Sequence, residues 1–321
     1  MRIALMTNNY KPIMGGVPIS IERLARELEA MGHEVTIFAP TYREQQEEEN
    51  VFRYATCMKH FIGGIVLPNP FDRRIEKEFR RNPYDIIHVH HPMLIGRTAV
   101  HLSRKYGIPL VFTYHTRYEQ YASCYTKGIC KLDRIMPFYL HTFLKHCHFV
   151  FAPTAGMQRY LTDCCHVPLE KTGVLPTGIE RRNFEISEEQ ARDVRARYEA
   201  EHMPLLLTVS RMAHEKNVSF LLESLAKVKQ IYGKPFRMLM VGDGPDLEAL
   251  RKQSERLGLW EQVVFTGAVP NERIGEYFKA ADGFLFASRT ETQGIVVLEA
   301  FAGATPVIAV RASGVEDLVD D

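Results

Sequence analysis

The sequence predicts an α/β protein of two doubly wound units, each a parallel sheet covered by helices. Three observations carry that prediction. Short apolar runs alternate with longer helical patterns through the first half of the chain. The alternation breaks at the polar, turn-rich stretch PTGIERRNFEISEEQ and then resumes with the same grammar. Several of the apolar runs end in glycine-bearing or polar loops, where ligands of such folds bind. The break places the units at 1–183 and 184–321.

The elements follow in order. RIALMT is a first strand, and VPISIERLARELEAMG carries apolar residues at helical spacing, Ile21, Leu24, Ala25 and Leu28. EVTIFAP, DIIHVH, PLVFTYH and FVFAP read as further strands, with helical stretches such as TAVHLSRKYG and MQRYLTDCC between them. In the second series PLLLTVS, FRMLMVG, VVFTG, GFLFAS and PVIAV are the strands. VSFLLESLAKVKQIYG, DLEALRKQSERLG, ERIGEYFKAA and the segment after Gly294 are the helices. Two such units side by side would place a ligand in the cleft between them. The second series stops soon after a strand and a turn, at GVEDLVDD, so the second unit is expected to be incomplete.

The 321 residues suffice for two cores, and a formal net charge of +1 gives no global attraction for nucleic acid. No apolar run approaches the ~20 residues that span a bilayer, and MRIALMTNNY turns polar too soon for a signal peptide. The 6 cysteines form no CxxC pair and read as reduced thiols of a cytoplasmic protein.

The chemistry gathers around TETQGIVVLEA. A helix beginning near Gly294 leaves the amides of Gly294, Ile295, Val296 and Val297 without intrahelical acceptors, a place for phosphate. Glu291 before it and Glu299 within it would repel phosphate but accept hydrogen bonds from diols, so the stretch describes a nucleotide sugar. A plain helix with solvent-facing acids is the competing reading. SRMAHEKN puts Arg211 and Lys216 at a strand end, where two cations would stabilise a diphosphate leaving group; surface ion pairing is their blander role. Gly242 and Gly244 in VGDGPD make a tight loop that a ligand could approach closely. Gly15 and Gly16 precede the first helix and offer a second set of amides. They lack GxGxxG spacing, and no acidic residue closes EVTIFAP, which argues against a nicotinamide enzyme. His115 closes a strand, either as a ligand contact or as a hydrogen-bonded core group. His88, His90 and His91, and His141, His146 and His148, invite a zinc reading. Strand alternation sends His91 away from the other two of its group, and no ligand set is completed.

Taken together, GGV, SRMAHEKN, VGDGP and TETQGIVVLEA, an E-x7-E motif, resemble the retaining glycosyltransferases of family four, in order and spacing over nearly the whole chain. The resemblance implies the GT-B fold, two Rossmann-like domains facing a cleft, here without the family's closing segment. It implies that Glu291 holds hydroxyls of the donor sugar and Glu299 those of the ribose. Arg211 and Lys216 would take the diphosphate, Gly16 would approach it from the other domain, and His115 would contact the sugar near the reacting carbon. Configuration would be retained through front-face attack, with no metal, since Asp-x-Asp is absent, and no cofactor beyond the nucleotide-sugar co-substrate.

Within the family, FTYHTRYEQYA and SRTETQGIVVLEA are similar to the bacterial enzymes that glucosylate diacylglycerol. This implies transfer from UDP-glucose to a lipid such as 1,2-diacylglycerol, giving an α-glycolipid. A soluble sugar or phospho-inositol acceptor is the alternative, or a non-catalytic membrane-surface or partner-binding protein. A lipid acceptor calls for docking on the inner face of the cell membrane. PFDRRIEKEFRRNPYD offers Arg73, Arg74, Lys77, Arg80 and Arg81 against Glu76 and Glu78, beside the apolar CMKHFIGGIVLPNPF. KGICKLDRIMPFYLHTFLKH, with Lys127, Lys131, Arg134 and Lys145, is a second candidate, and a merely solvated face is the competing reading of both.

Overall fold

A computed structural model describes residues 1–13, 15–58, 66–118 and 132–319 and divides the chain into two compact units, Met1–Gly178 and Ile179–Asp321. In unit 1 the strands are β1 (Arg2–Met6), β2 (Glu34–Pro40), β3 (Val51–Tyr54), β4 (Thr56–Met58), β5 (Leu67–Pro68), β6 (Ile86–Val89), β7 (Leu110–Thr113), β8 (Phe149–Ala152) and β9 (Thr172–Val174). Seven of them form a parallel sheet in the order β3-β2-β1-β6-β7-β8-β9, while β4 and β5 pair antiparallel apart from it. Unit 2 contains β10 (Leu205–Val209), β11 (Arg237–Val241), β12 (Val263–Gly267), β13 (Gly283–Phe286) and β14 (Val307–Ala309), parallel in the order β12-β11-β10-β13-β14. Strand order therefore reverses once in each sheet, between β1 and β6 and between β10 and β13. At such a point successive crossovers leave in opposite directions and open a crevice at the strands' carboxyl ends.

Alternation along the strands sorts the core onto the two sheet faces. In unit 1 Ile3 and Leu5 pack with Ile21 and Ala25 of α1 (Gly16–Ala30). Ala4 and Met6 face the larger cluster under α2 (Arg73–Arg81), α3 (Ile95–Tyr106), α4 (Leu132–Leu144) and α5 (Ala155–Asp163). In unit 2 α6 (Glu188–Arg197), α9 (Ile274–Ala280) and α10 (Ile295–Ala302) share one face with Leu205, Leu207 and Phe284. The other face, with Met238 and Met240, is covered by α7 (Val218–Tyr232) and α8 (Leu247–Arg256).

The units meet earlier in the chain than the 183/184 boundary read from the sequence. Residues 181–184 form a 3-10 turn already seated on unit 2. The Phe184 ring lies 6.2 Å from Phe278, and the Asn183 carbonyl touches Gly275 so closely that a β-carbon there would overlap it. The polar composition of the segment hides these two anchors. The segment then continues into α6, whose start is fixed by a capping box between Ser187 and Gln190.

Polar residues are buried in one unexpected place, the carboxyl ends of β6 and β7. His88 and His90 project from one sheet face with rings stacked 4.4 Å apart, and His90 stacks on His115 at 5.1 Å. His88 Nε2 meets Thr113 Oγ1 at 2.7 Å, and His90 Nδ1 meets His115 Nε2 at 2.9 Å, both diagonal to the strand register. His91 turns the other way, its Nδ1 accepting from the Asn8 amide at 3.2 Å. Burial disfavours the charged form of all four rings. It lowers His88 and His91 to about 4, holds His90 well below its ordinary value, and, with repulsion from His91 and His88, takes His115 to about 3.

Two outcomes follow from the packing. Gly275→Ala displaces the Asn183 carbonyl and lowers the stability of unit 2 by about 1–3 kcal/mol, read as a shifted urea midpoint with unchanged slope. The buried histidines also make stability pH-dependent. Between their unfolded value near 6.5 and folded values of about 4 and 3, the unfolded chain binds protons that the folded chain refuses. Stability therefore falls as pH drops through that window, by about 1.4 kcal/mol per pH unit for each histidine. His88→Gln, which keeps a group near Thr113 but does not titrate, should flatten the slope between pH 7 and 5 by about one proton; an unchanged slope would refute the assignment.

Candidate active site

In unit 2 the site is assembled at the reversal point between β10 and β13. The loop leaving β10 is held against the turn after β11 by backbone bonds. Ser210 donates to Val241, Met212 to Asp243 and Asp246 to Met212, at 2.9–3.0 Å. This contact explains the glycines of VGDGPD. A β-carbon at Gly242 would overlap the Ser210 carbonyl, and one at Gly244 the Met212 backbone; Gly242 also sits at φ +134°. The close neighbour of both glycines is thus the 210–212 loop of the protein itself.

That loop continues through a 3-10 turn, His214–Lys216, to Asn217 in the left-handed region, whose side-chain amide donates to Ala287 O at 3.3 Å. The turn carries the Lys216 side chain to Glu291, with Nζ 2.5 Å from Oε1. The two side chains are 24% and 18% exposed, which lifts the pair above an ordinary surface contact. Burial opposes ionisation of Glu291, but the Lys216 charge, its hydrogen bond and one from Ser288 outweigh it, so the carboxyl is held below its usual range. Arg211, half-buried at the same strand end, forms no ion pair among the described residues.

After β13 the loop reaches Gly294 at φ +65°, from which α10 starts without a side-chain cap. Val297 is buried and its amide closes onto the Gly294 carbonyl at 2.8 Å. Glu299 is 8% exposed, on the inward side of α10 between Val297 and Ala300, and is therefore not a solvent-facing acid. The arrangement offers a cation, a helix start and carboxylates that can accept from hydroxyls. Sequence reasoning missed Gly314. Its φ of +75° lets the stretch after β14 lie on Glu291, Thr292 and Gln293, where any β-carbon would collide. The only signal was a Ser-Gly pair after a short apolar run.

In unit 1 the reversal point lies between β1 and β6. Gly15, in extended conformation at φ 169°, precedes α1, which begins at Gly16 without a side-chain cap. Asn8, also missed, joins the two strand ends. Its side chain accepts from the Ile95 amide at 3.2 Å and donates to Met93 O at 3.0 Å, fixing the entry to α3. His115 is half-buried two residues beyond β7, in the histidine stack.

The basic helix is more divided than its sequence implied. Ile75 and Phe79 are buried, Phe79 lying 5.3 Å from Phe38 and 4.6 Å from Tyr84, so the apolar spacing serves the core. Arg74 is tied to Asp72 and Arg80 to Glu76, which also holds Lys105. Arg73, Lys77 and Arg81 are exposed and form no ion pair among the described residues, and Phe71 beside them is 83% exposed. Of the second basic candidate, Lys127 and Lys131 lie outside the described residues, as does the side chain of Arg134. No described helix is long and apolar enough to cross a membrane.

Residues 14–182 match the family profile Glycosyltransferase Family 4, and residues 190–321 match Glycosyl transferases group 1. The chain is 33% identical over 336 residues to an α-monoglucosyldiacylglycerol synthase of Streptococcus pneumoniae, covering 100% of this chain and 74% of that protein. It is 29% identical to a protein of the same name from Acholeplasma laidlawii, covering 96% and 80%. Among solved structures it is similar to Anabaena Alr3699/HepE in complex with UDP and glucose, at TM-score 0.76 and 19% identity over 100% and 83% of the two chains. The sucrose-phosphate synthase of Thermosynechococcus elongatus gives TM-score 0.78 at 20% identity, over 98% and 82%. The fold is GT-B, and the chain belongs to glycosyltransferase family 4.

Proposed function

We propose that this enzyme transfers glucose from UDP-glucose to a membrane lipid such as 1,2-diacylglycerol, with retention, giving an α-glucolipid without a divalent metal. The observation that carries the donor half is the set of groups at the β10/β13 reversal point, where Arg211, the Lys216–Glu291 pair and the uncapped start of α10 stand together. The lipid half is supported by the names of the two synthases and by the exposed Arg73, Lys77, Arg81 and Phe71. UDP is supported by the ligand named with the Anabaena protein.

In this reading the bond from the anomeric carbon to the diphosphate oxygen breaks while the acceptor hydroxyl attacks the same face. Its proton passes to the leaving phosphate. Arg211, Lys216 and the first amides of α10 take the charge that builds on the diphosphate, with the Gly16 end of α1 as a second set of amides. Glu291, kept ionised by Lys216, accepts from donor-sugar hydroxyls, Glu299 accepts from the ribose, and His115 contacts the sugar near the reacting carbon. Lys216 thus has two tasks, to hold Glu291 and to face the diphosphate, whereas Arg211 has one.

The test is transfer of labelled glucose from UDP-glucose to diacylglycerol in vesicles. Arg211→Ala should lower turnover by about 10²–10³. Glu291→Gln, which keeps shape but loses charge, should lower it with UDP affinity nearly unchanged. Label appearing only with GDP-mannose, or only on an inositol phosphate, would move this chain to the chemistry named for other relatives at 24–27% identity. No label with any of these would sink the reading.

Membrane docking has its own outcome. Arg73→Gln, Lys77→Gln and Arg81→Gln together should weaken partition onto anionic vesicles by roughly 1 kcal/mol per charge, or about two orders of magnitude. Partition onto neutral vesicles should stay the same. Equal loss on both would mean the helix does not dock through charge.

A further inference from the structure

Helices α2, α3, α4 and α5 bury into one cluster on one face of the unit 1 sheet, so their outer sides form a single surface. Contacts run across it from helix to helix. Lys105 of α3 meets Glu76 of α2, and Arg104 of α3 meets His146 just past α4. His141 of α4 donates from Nδ1 to Cys165 O, just past α5, at 3.3 Å. The surface is basic. α3 contains no acidic residue, and its Arg97, His101, Arg104 and Lys105 are exposed. Lys145, one turn beyond His141, is exposed too, and neither it nor Arg97 forms an ion pair among the described residues. Among the described side chains of α3, α4 and α5 the single acid is Asp163.

Within this surface lies an apolar groove of about 270 Å³ between α4 and the end of α5, lined by Pro137, Phe138, Leu140, Tyr160, Cys164 and Cys165. Phe138 is 73% exposed, and Ile135, one turn before it, 59%. Apolar walls beside exposed apolar side chains mark a place for an apolar occupant. The volume falls just under the roughly 300–1,000 Å³ of sites that enclose a whole small molecule, so it suits the end of a single chain. A free apolar ligand would gain nothing from the surrounding cations. A lipid in an anionic monolayer uses both, its chain in the groove and the neighbouring phosphates on the cations. The surface also continues into α2, where Arg73, Lys77 and Arg81 are exposed.

We propose that the groove between α4 and α5 binds the end of one acyl chain of an anionic membrane, while Arg97, Arg104 and Lys145 hold headgroup phosphates around it. The residues past α5 lead into β9 and so lie at the amino edge of the parallel sheet, whereas a transferred sugar is received at the carboxyl edge. The bound lipid is therefore an anchor and not the acceptor. That a membrane is where the enzyme works rests on the function proposed above; the groove and its cations stand apart from that reading.

The experiment is fluorescence quenching by phosphatidylcholine brominated in its acyl chains, in vesicles with and without phosphatidylglycerol. It uses the full chain carrying Trp260→Phe, which removes the one native tryptophan. Phe138→Trp then reports from the outer face, and Tyr160→Trp from inside the groove. Tryptophan at the second position keeps a ring for Arg117, whose guanidinium lies 4.0 Å from the Tyr160 centroid. Both reporters should be quenched on vesicles with phosphatidylglycerol and far less on vesicles without it. Arg97→Gln together with Lys145→Gln should raise the lipid concentration for half quenching about thirtyfold. Quenching of Phe138→Trp but not of Tyr160→Trp would mean that the face docks and the groove takes no chain, which overturns the proposal. So would equal quenching with and without phosphatidylglycerol. Should Tyr160→Trp fail to fold, Cys164 of the unaltered chain serves instead, since it is exposed in the groove wall. It should lose most of its reactivity towards a water-soluble maleimide on vesicles with phosphatidylglycerol, and unchanged reactivity overturns the proposal. Quenching of both reporters with no transfer of glucose to lipid would overturn the proposed acceptor and leave the groove standing. Transfer with Tyr160→Trp unquenched would overturn the groove alone.

Discussion

The constraint on which the rest depends is the single reversal of strand order in each sheet. A parallel sheet brings every strand's carboxyl end to one edge, but only at the reversal do neighbouring loops part and leave room. In unit 2 the two loops that part there carry Lys216 and Glu291, and they are rejoined by the ion pair between them and by hydrogen bonds from Asn217 to Ala287 O and from Ser288 to Glu215 O. The left-handed Asn217 and Gly294 set the directions in which the two loops leave, so the chemistry is held by backbone geometry as much as by charge. In unit 1 the corresponding opening is bridged by Asn8, which holds the entry to α3 while the Asn8 amide holds His91.

The two openings are electrostatically unlike. Unit 2 presents an ionised carboxylate in a partly buried setting, held so against burial by the Lys216 ammonium and a hydrogen bond from Ser288. Unit 1 presents neutral imidazoles, kept so by burial and by each other. Reactions that separate a phosphate anion from a carbon centre need fixed charge where the anion departs.

Much of this was legible in the sequence, and the reasons are physical. Strands such as RIALM and FRMLMV are buried on both faces and read as continuous apolar runs. The loops that carry function follow them at once. E-x7-E was legible because a helix start and its flanking acids are local. What escaped were relations between residues distant in sequence. Gly242 and Gly244 looked like a ligand-approach loop, but their neighbour is a backbone segment some thirty positions earlier, Ser210 and Met212. His90 and His115, separated by 25 positions, meet only because β6 pairs with β7. The helix Arg73–Arg81 was found, yet that Glu76 also holds Lys105, on a different helix, could not be read from it.

His115 shows why the second kind of information matters. A histidine closing a strand can be a ligand contact or a core group, and its own position supports both. A ring held only for packing needs no particular proton arrangement, and leucine or phenylalanine would fill the same space without the desolvation penalty of a polar pair. Here a second imidazole, His90, is buried completely between His88 and His115, with its Nε2 unpartnered and its Nδ1 on His115. Packing alone does not account for such a cost, and the outer ring of the pair, His115, is the half-buried one, at the carboxyl end of its strand.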